Sequence, residues 1–374
     1  MRTEDFVNML DTDFYTGVPD SLLKNFCNYL INVYGTEPKH HIIAANEGNA
    51  VAIASGYYLA TGKIPVVYLQ NSGQGNIINP ITSLMNDKIY GIPCIFVIGW
   101  RGEPGCPDEP QHQFQGEITL ALLEILGISY CVIDNGIDKQ QLSQKMVDYK
   151  TLLKKGKQVA FIIRNGALQY DSKVKYANSY SFCREEIIKH IVKTTRNDVI
   201  ISTTGKTSRE LFEIRENIDK NHANDFLTVG SMGHSSSVAL GIALQKPNEK
   251  IWIIDGDGAL LMHMGAMALI GAIAPNNLVH ILINNNAHES VGGMPTVADK
   301  IDFVKIASAC GYEKSICVKT LEEFNEALIS AKQDKCLCFI EIKCAIGARD
   351  NLGRPTATPE ENKLELMKHL GVKI

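Results

Sequence analysis

Short β-branched apolar runs recur along this 374-residue chain with helix-period stretches between them. One series comprises His41–Ala45, Ile64–Gln70, Cys94–Gly99, Tyr130–Ile133 and Gln158–Arg164. A second comprises Val199–Ser202, Phe226–Val229, Lys250–Ile254, Leu278–Ile283 and Cys336–Ile342. Strands that are apolar along their whole length need cover on both faces, which helices crossing over a parallel sheet provide. Between the series lies a polar segment without a period, Asn165–Phe182, which reads as a linker. The expectation is two doubly wound, parallel-sheet α/β domains at 1–165 and 183–374, joined by 166–182.

Charge and cysteine usage narrow the partners and the compartment. Lys and Arg number 37 against 41 Asp and Glu, and no dense basic block appears. Neither nucleic acid nor a membrane surface is therefore expected as a partner. The ten cysteines are scattered through apolar runs without a Cys-x-x-Cys pair, a pattern of free thiols in a reducing cytoplasm. The opening Met1–Asp5 lacks the basic and apolar regions of a signal peptide. The longest apolar stretch, Ala259–Ala274, carries His263 and stops at Pro275, short of the ~20 residues that span a bilayer, and reads as one buried helix.

In doubly wound sheets, ligands collect beyond the carboxyl ends of the strands. The segments there are rich in glycine and polar residues: Gly17–Asp20, Asn46–Gly48, Asn71–Gly75, Thr203–Thr207, Gly230–Gly233, Gly256–Gly258 and Asn284–Asn286. Two nucleotide motifs fail on inspection. Gly256-Asp257-Gly258 and Gly73-Gln74-Gly75 lack the third glycine of a dinucleotide fingerprint, and Gly205-Lys206-Thr207 lacks the first glycine of a P-loop, where Ile200 stands. Asp257 and the Asn284/Asn285 pair are separated by one apolar stretch and one strand, which returns the chain to the same sheet edge. A carboxylate and an amide oxygen suit Mg²⁺, which takes its other ligands from phosphate and water. The amides of Gly258 and Ala259 open the following helix and face the same phosphate.

Asp255-Gly256-Asp257-Gly258, followed by the apolar stretch and Asn284-Asn285, resembles the diphosphate-binding motif of thiamine diphosphate enzymes. His41–Tyr57, with Asn46-Glu47-Gly48 inside it, is similar to the segment that carries their cofactor-activating glutamate. The chain is too short for the central third domain of most members. Thr16–Leu23, Gln70–Asn76, Arg101–His112, Thr204–Leu211, His288–Gly293 and Arg349–Pro355 resemble one branch in particular, the phosphonopyruvate and sulfopyruvate decarboxylases.

That resemblance implies a pyrimidine-binding first domain, a diphosphate-binding second domain, and thiamine diphosphate with Mg²⁺ as cofactors. Glu47 is then the carboxyl group bonded to the pyrimidine N1′. Met232 props the bent cofactor, and the Gly230 carbonyl accepts from its 4′-amino group. Gly205, Lys206, Thr207, Gly256, Gly258 and Ala259 meet the diphosphate, while Asp257, Asn285 and the Ala287 carbonyl hold the metal. Asn286 stands where relatives often have glycine, which leaves Asn284 as an alternative ligand. Asp20, His112 and His288 are candidates for proton transfer, and Arg101, Arg349 and Arg354 for the substrate's anionic groups. The resemblance further implies a homo-oligomer, at least a dimer, with Glu47 of one subunit and Asp257 of the other at a shared site.

The reaction so implied is non-oxidative decarboxylation of 3-phosphonopyruvate, a small 2-oxo acid, to phosphonoacetaldehyde and CO₂ in phosphonate biosynthesis. Sulfopyruvate is the alternative substrate, because phosphonate and sulfonate both offer three oxygens to similar donors. A nucleotide-dependent dehydrogenase or binding protein is the alternative of another class, and its fingerprint is incomplete here.

Overall fold

A computed structural model describes residues 1–373. The chain divides into two compact units, Met1–Lys175 and Tyr176–Ile374. The first carries β1 (Tyr15–Gly17), β2 (His41–Ile43), β3 (Val66–Gln70), β4 (Cys94–Gly99), β5 (Ser129–Ile133) and β6 (Gln158–Ile163). The second carries β7 (Val199–Ser202), β8 (Asp225–Leu227), β9 (Ile251–Gly256), β10 (Leu278–Asn284), β11 (Ala287–His288), β12 (Met294–Pro295), β13 (Lys314–Val318) and β14 (Cys338–Lys343).

Each unit holds a six-stranded sheet whose pairs are all parallel, ordered β2-β1-β3-β4-β6-β5 and β13-β14-β10-β9-β7-β8. With the small antiparallel ribbon β11–β12 set aside, the second order is the first read from the other end. Both sheets therefore reverse direction at an equivalent place, between β1 and β3 and between β7 and β9, where doubly wound sheets open their crevice. The central strands β4, β6, β7 and β10 are buried at every residue, as strands covered on both faces should be.

Three details depart from the sequence reading. The periodicity showed five strands per unit, whereas each sheet has six. β1 has only three residues, and β13 is an edge strand whose Lys314, Ile316 and Cys317 are exposed. The stretch read as one buried helix is two, Asp257–Met262 and Gly265–Ile273, broken at His263, where the backbone leaves helical angles. It is not buried throughout either: Leu269 is 56% exposed and Ile273 43%. Met267, Ile270 and Gly271 are its buried residues, Gly271 lying against the backbone of Cys310, because the spacing of three and four residues gives a helix one inward stripe whatever its composition.

A fully buried ion pair anchors the second unit. Arg215, on the helix Lys206–Ile218, donates through Nε and Nη2 to both carboxylate oxygens of Asp225 on β8 at 2.9 and 3.1 Å. This pair ties down the helix whose amino end carries Lys206. All ten cysteines are free, and among the described residues no helix is long and apolar enough to cross a membrane.

Candidate active site

In the first unit the chain leaving β1, β3 and β4 converges at the carboxyl edge of the sheet. Asp20 is buried there, accepting from Gln70 Nε2 at 2.6 Å and from the Leu23 amide at 3.3 Å. Burial raises its carboxyl pKa above the ordinary range, against the lowering effect of the Gln70 bond. Arg101 donates to both oxygens of Asp108 at 2.8 and 2.5 Å and to Ser21 Oγ at 3.0 Å. His112, in the first turn of the helix Pro110–Ile125, has a buried Nδ1 without a hydrogen-bond partner among the described residues. Burial and the nearby Arg101 charge lower its pKa.

Glu47 opens the helix Glu47–Thr61, capped by Asn46, whose side chain accepts from the Asn49 amide at 2.9 Å. Glu47 is 6% exposed, and its carboxylate accepts from Asn76 Nδ2 at 2.7 Å. It also lies across Gly73 so closely that any Cβ there would collide with it. Among the described residues no cationic side chain pairs with Glu47, so its buried carboxyl has only a neutral protein partner.

In the second unit β9 delivers Asp257 to the carboxyl edge and β10 delivers the asparagines. Asp257 is 2% exposed, accepts from Thr296 Oγ1 at 2.5 Å and lies beside the backbone amide of Asn285. Burial pushes its carboxyl up to about 6, against those hydrogen bonds. The two asparagines are used differently. Asn284 turns into the sheet, donating to Glu341 Oε1 at 2.8 Å, whereas Asn285 Oδ1 accepts the Ala287 amide at 3.0 Å. Asn285 is thus the asparagine tied to both Asp257 and the Ala287 turn.

Above this pair, the His288 ring and the Met232 methyl meet over the bare Cα of Gly258: a Cβ placed there would lie 3.0 Å from His288 Nδ1 and 3.3 Å from Met232 Cε. Burial lowers the His288 pKa to about 4, so its imidazole is neutral at physiological pH. Ser231, beside Met232, takes a left-handed φ of 52° that a non-glycine residue adopts only at a cost, part of the turn that presents the methionine.

Lys206 follows Gly205 and reaches Glu289 Oε1 at 3.0 Å. Glu289 is also held by Arg184 at 2.8 and 3.2 Å, and Arg184 forms a second two-pronged pair with Glu210 at 2.7 and 2.8 Å. Burial favours the neutral acid, yet Arg184 and Lys206 outweigh it and bring Glu289 down to about 2. Arg349 is shared between Glu185 and Glu213, and Arg209 and Glu213 bond the backbone at Leu352 and Gly353. The Arg349–Gly353 stretch is thereby docked on two helices, with Arg354 exposed at its end.

Several residues at the two sheet edges escaped the sequence reading. Asn76 and Gln70 are polar residues in quoted stretches whose partners lie 29 and 50 positions away. Thr296 and Arg184 carry no motif, and Glu210 and Glu289 lie in family-matching stretches without a role read for them. Asn178, in the segment read as linker, donates to the carbonyls of Asn285 at 2.9 Å and Cys344 at 3.0 Å. One further grouping of ligand-type side chains, Asp334, Cys336 and Cys338, lies elsewhere. Its carboxylate is already matched by Lys314 at 2.6 Å, and the Lys250 ammonium bonds the Asp334 carbonyl at 2.7 Å.

The model of the thiamine pyrophosphate enzyme N-terminal TPP-binding domain matches residues 4–124, and that of the C-terminal TPP-binding domain matches 203–342. A phosphonopyruvate decarboxylase of Streptomyces viridochromogenes is 34% identical over 92% of this chain and 88% of its own length. The chain belongs to the thiamine diphosphate-dependent decarboxylase family. In Methanococcus maripaludis the relatives are two polypeptides. A sulfopyruvate decarboxylase β subunit is 37% identical over 49% of this chain and 95% of its own length. The α subunit is 36% identical over 32% of this chain and 66% of its own length.

The residues present suit the family's cofactors, thiamine diphosphate and Mg²⁺. Asp257, the Asn285 amide oxygen and the Ala287 carbonyl are oxygen donors of the kind hard cations take, with Thr296 bonded to the Asp257 carboxylate. Beside Gly256 the buried Thr203 hydroxyl has no partner among the described residues, which leaves it for an anion at the same edge. In the other unit, the buried Glu47 carboxyl has, among the described residues, no charged partner.

Proposed function

We propose that this family member catalyses decarboxylation of 3-phosphonopyruvate to phosphonoacetaldehyde and CO₂. The identity to phosphonopyruvate decarboxylase along 92% of the chain carries this reading, and a buried glutamate and an oxygen-ligand group at the two sheet edges support it.

When bound, thiamine diphosphate supplies a nucleophilic carbon that adds to a ketone and accepts the electron pair freed as CO₂ departs. Glu47 holds a proton against the pyrimidine N1′. Met232 would wedge between the two rings, and the Gly230 carbonyl would accept a hydrogen bond from the 4′-amino group. The amides of Gly256, Gly258 and Ala259, with Gly205, Lys206 and Thr207, receive the diphosphate. Asp257, Asn285 and the Ala287 carbonyl hold Mg²⁺.

Asp20, whose raised pKa favours the protonated acid, and the neutral imidazoles of His112 and His288 manage the protons of CO₂ loss and product release. Arg101, Arg349 and Arg354 are assigned to the carboxylate and phosphonate. Arg354 is the most exposed of the three.

Residues 1–165 are assigned to the pyrimidine and 183–374 to the diphosphate. A homodimer, with Glu47 of one copy serving the cofactor held by Asp257 of the other, agrees with relatives in which the equivalent sequence is split between α and β subunits. Ten free thiols favour the cytoplasm.

The deciding experiment measures CO₂ release from phosphonopyruvate, sulfopyruvate and pyruvate. A kcat/KM for phosphonopyruvate at least tenfold above the other two supports the assignment, and a preference for sulfopyruvate replaces it. Arg354→Ala should raise KM for phosphonopyruvate and leave pyruvate turnover unchanged, since pyruvate has no phosphonate to lose contact with.

A further inference from the structure

Asn285 is a side chain of nearly symmetric shape, and which of its ends is oxygen is settled by its neighbours. Its Nδ2 donates to Glu289 Oε2 at 3.0 Å, and its Oδ1 accepts from the Ala287 amide at 3.0 Å. Glu289 is in turn held from the far side by Arg184, at 2.8 and 3.2 Å, and by Lys206 at 3.0 Å. Arg184 is fixed by its two bonds to Glu210. The carboxylate of Glu289 is 8% exposed, and Arg184 and Glu210 are 7% and 1% exposed. This is a packed network, and its side chains come from positions 105 residues apart.

An ionised carboxylate only accepts hydrogen bonds, so it selects the NH₂ end of the amide and turns the oxygen away. Only that oxygen can ligate a hard cation, because an amide nitrogen has no lone pair to give. We propose that Glu289 is a positioning residue that fixes the Asn285 amide with its oxygen presented to Mg²⁺, and that Arg184 and Lys206 hold the carboxylate in place. The inference rests on the reading of Asn285 as a metal ligand. It explains why a glutamate stands within a site for the anionic diphosphate: its charge is spent on two cations and on the amide.

The test is Mn²⁺ binding, read as loss of the free-ion paramagnetic resonance signal in apo-protein supplied with thiamine diphosphate. The proteins are wild type, D257A, N285A, E289Q, E289Q/N285A and N285D, each checked for folding by circular dichroism. D257A should lose binding. N285A and E289Q should each weaken it by about tenfold or more, the usual cost of losing a ligand or its orienting partner. The double variant should be no weaker than N285A alone, because Glu289 acts through Asn285.

N285D tests the idea without altering Glu289. An aspartate has no NH₂ to offer and is repelled by the glutamate, so it should weaken Mn²⁺ binding, although carboxylate is ordinarily the better ligand. Wild-type affinity in E289Q, losses that multiply in the double variant, or tighter binding in N285D each overturns the proposal. Wild-type affinity in N285A removes the ligand assignment and the proposal with it, whereas weakening in N285A with none in E289Q removes the positioning role alone.

Discussion

The Glu47 carboxylate lies directly on the Cα of Gly73, in space that any side chain would need. Replacing Gly73 with Ala forces one of them to move, and among the described residues the carboxylate is held by Asn76 and by its own helix. G73A should therefore displace Glu47, lowering kcat on the order of 10²-fold, with a stability cost of about 1–3 kcal/mol from overpacking. E47Q should match that kcat loss without the stability loss. Steady-state rates beside thermal melts separate the two, and wild-type turnover in E47Q would remove the proton-holding role.

The pH dependence of Asp257 has a definite sign. Its pKa is raised from 3.8 to about 6 by burial, so the ionised form costs the apo-protein stability. That cost is absent below about pH 4, where folded and unfolded chains both bind the proton, and is complete above about pH 6. D257N should thus stabilise the apo-protein at pH 7–8, on the order of 2 kcal/mol, with the gain vanishing near pH 4. Denaturation curves at several pH values check this. A gain independent of pH would assign the effect to something other than the buried charge.

Metal removal should empty the site of cofactor as well as ion. Chelation with EDTA followed by gel filtration should release thiamine diphosphate and abolish decarboxylation, and Mg²⁺ with fresh cofactor should restore it. Because Asp257 must give up a proton to ligate, cation affinity should fall as the pH drops through about 6. Full activity in metal-free protein would end the ligand assignment.

Arg215 and Asp225 are both fully buried. Even paired, Asp225 is raised to about 6 by burial. R215L leaves that carboxylate without its cation and should destabilise the protein by about 3–5 kcal/mol at pH 8. The loss should shrink near pH 5, where Asp225 takes up a proton more readily than it has to expose itself. Urea denaturation at the two pH values tests both the size and the trend.

The residues that were legible in sequence share one property: their signal is carried by neighbours along the chain. β4 and β7 have the bounds their apolar runs indicated, Cys94–Gly99 and Val199–Ser202. Asp257 and Asn285 come together because one apolar stretch and one strand return the chain to the same edge. β13 was not legible, because half of an edge strand faces water and its sequence mixes lysine, serine and cysteine. The break at His263 was hidden by uniform composition, which marks a stretch as apolar without saying where its helical hydrogen bonds stop.

By itself the sequence determined the alternation of strand and helix, the two sheets, and the motifs around Glu47, Asp257 and Asn285, since these follow from residue spacing and right-handed crossover connections. Only the tertiary structure decided which charges meet. Arg184 finds Glu289 and Glu210, Asn76 finds Glu47, and Asn178 finds the Asn285 carbonyl. Each of these contacts joins residues from different elements. Their distance is set by strand order and by how closely a helix approaches a sheet, and no periodicity along the chain encodes either.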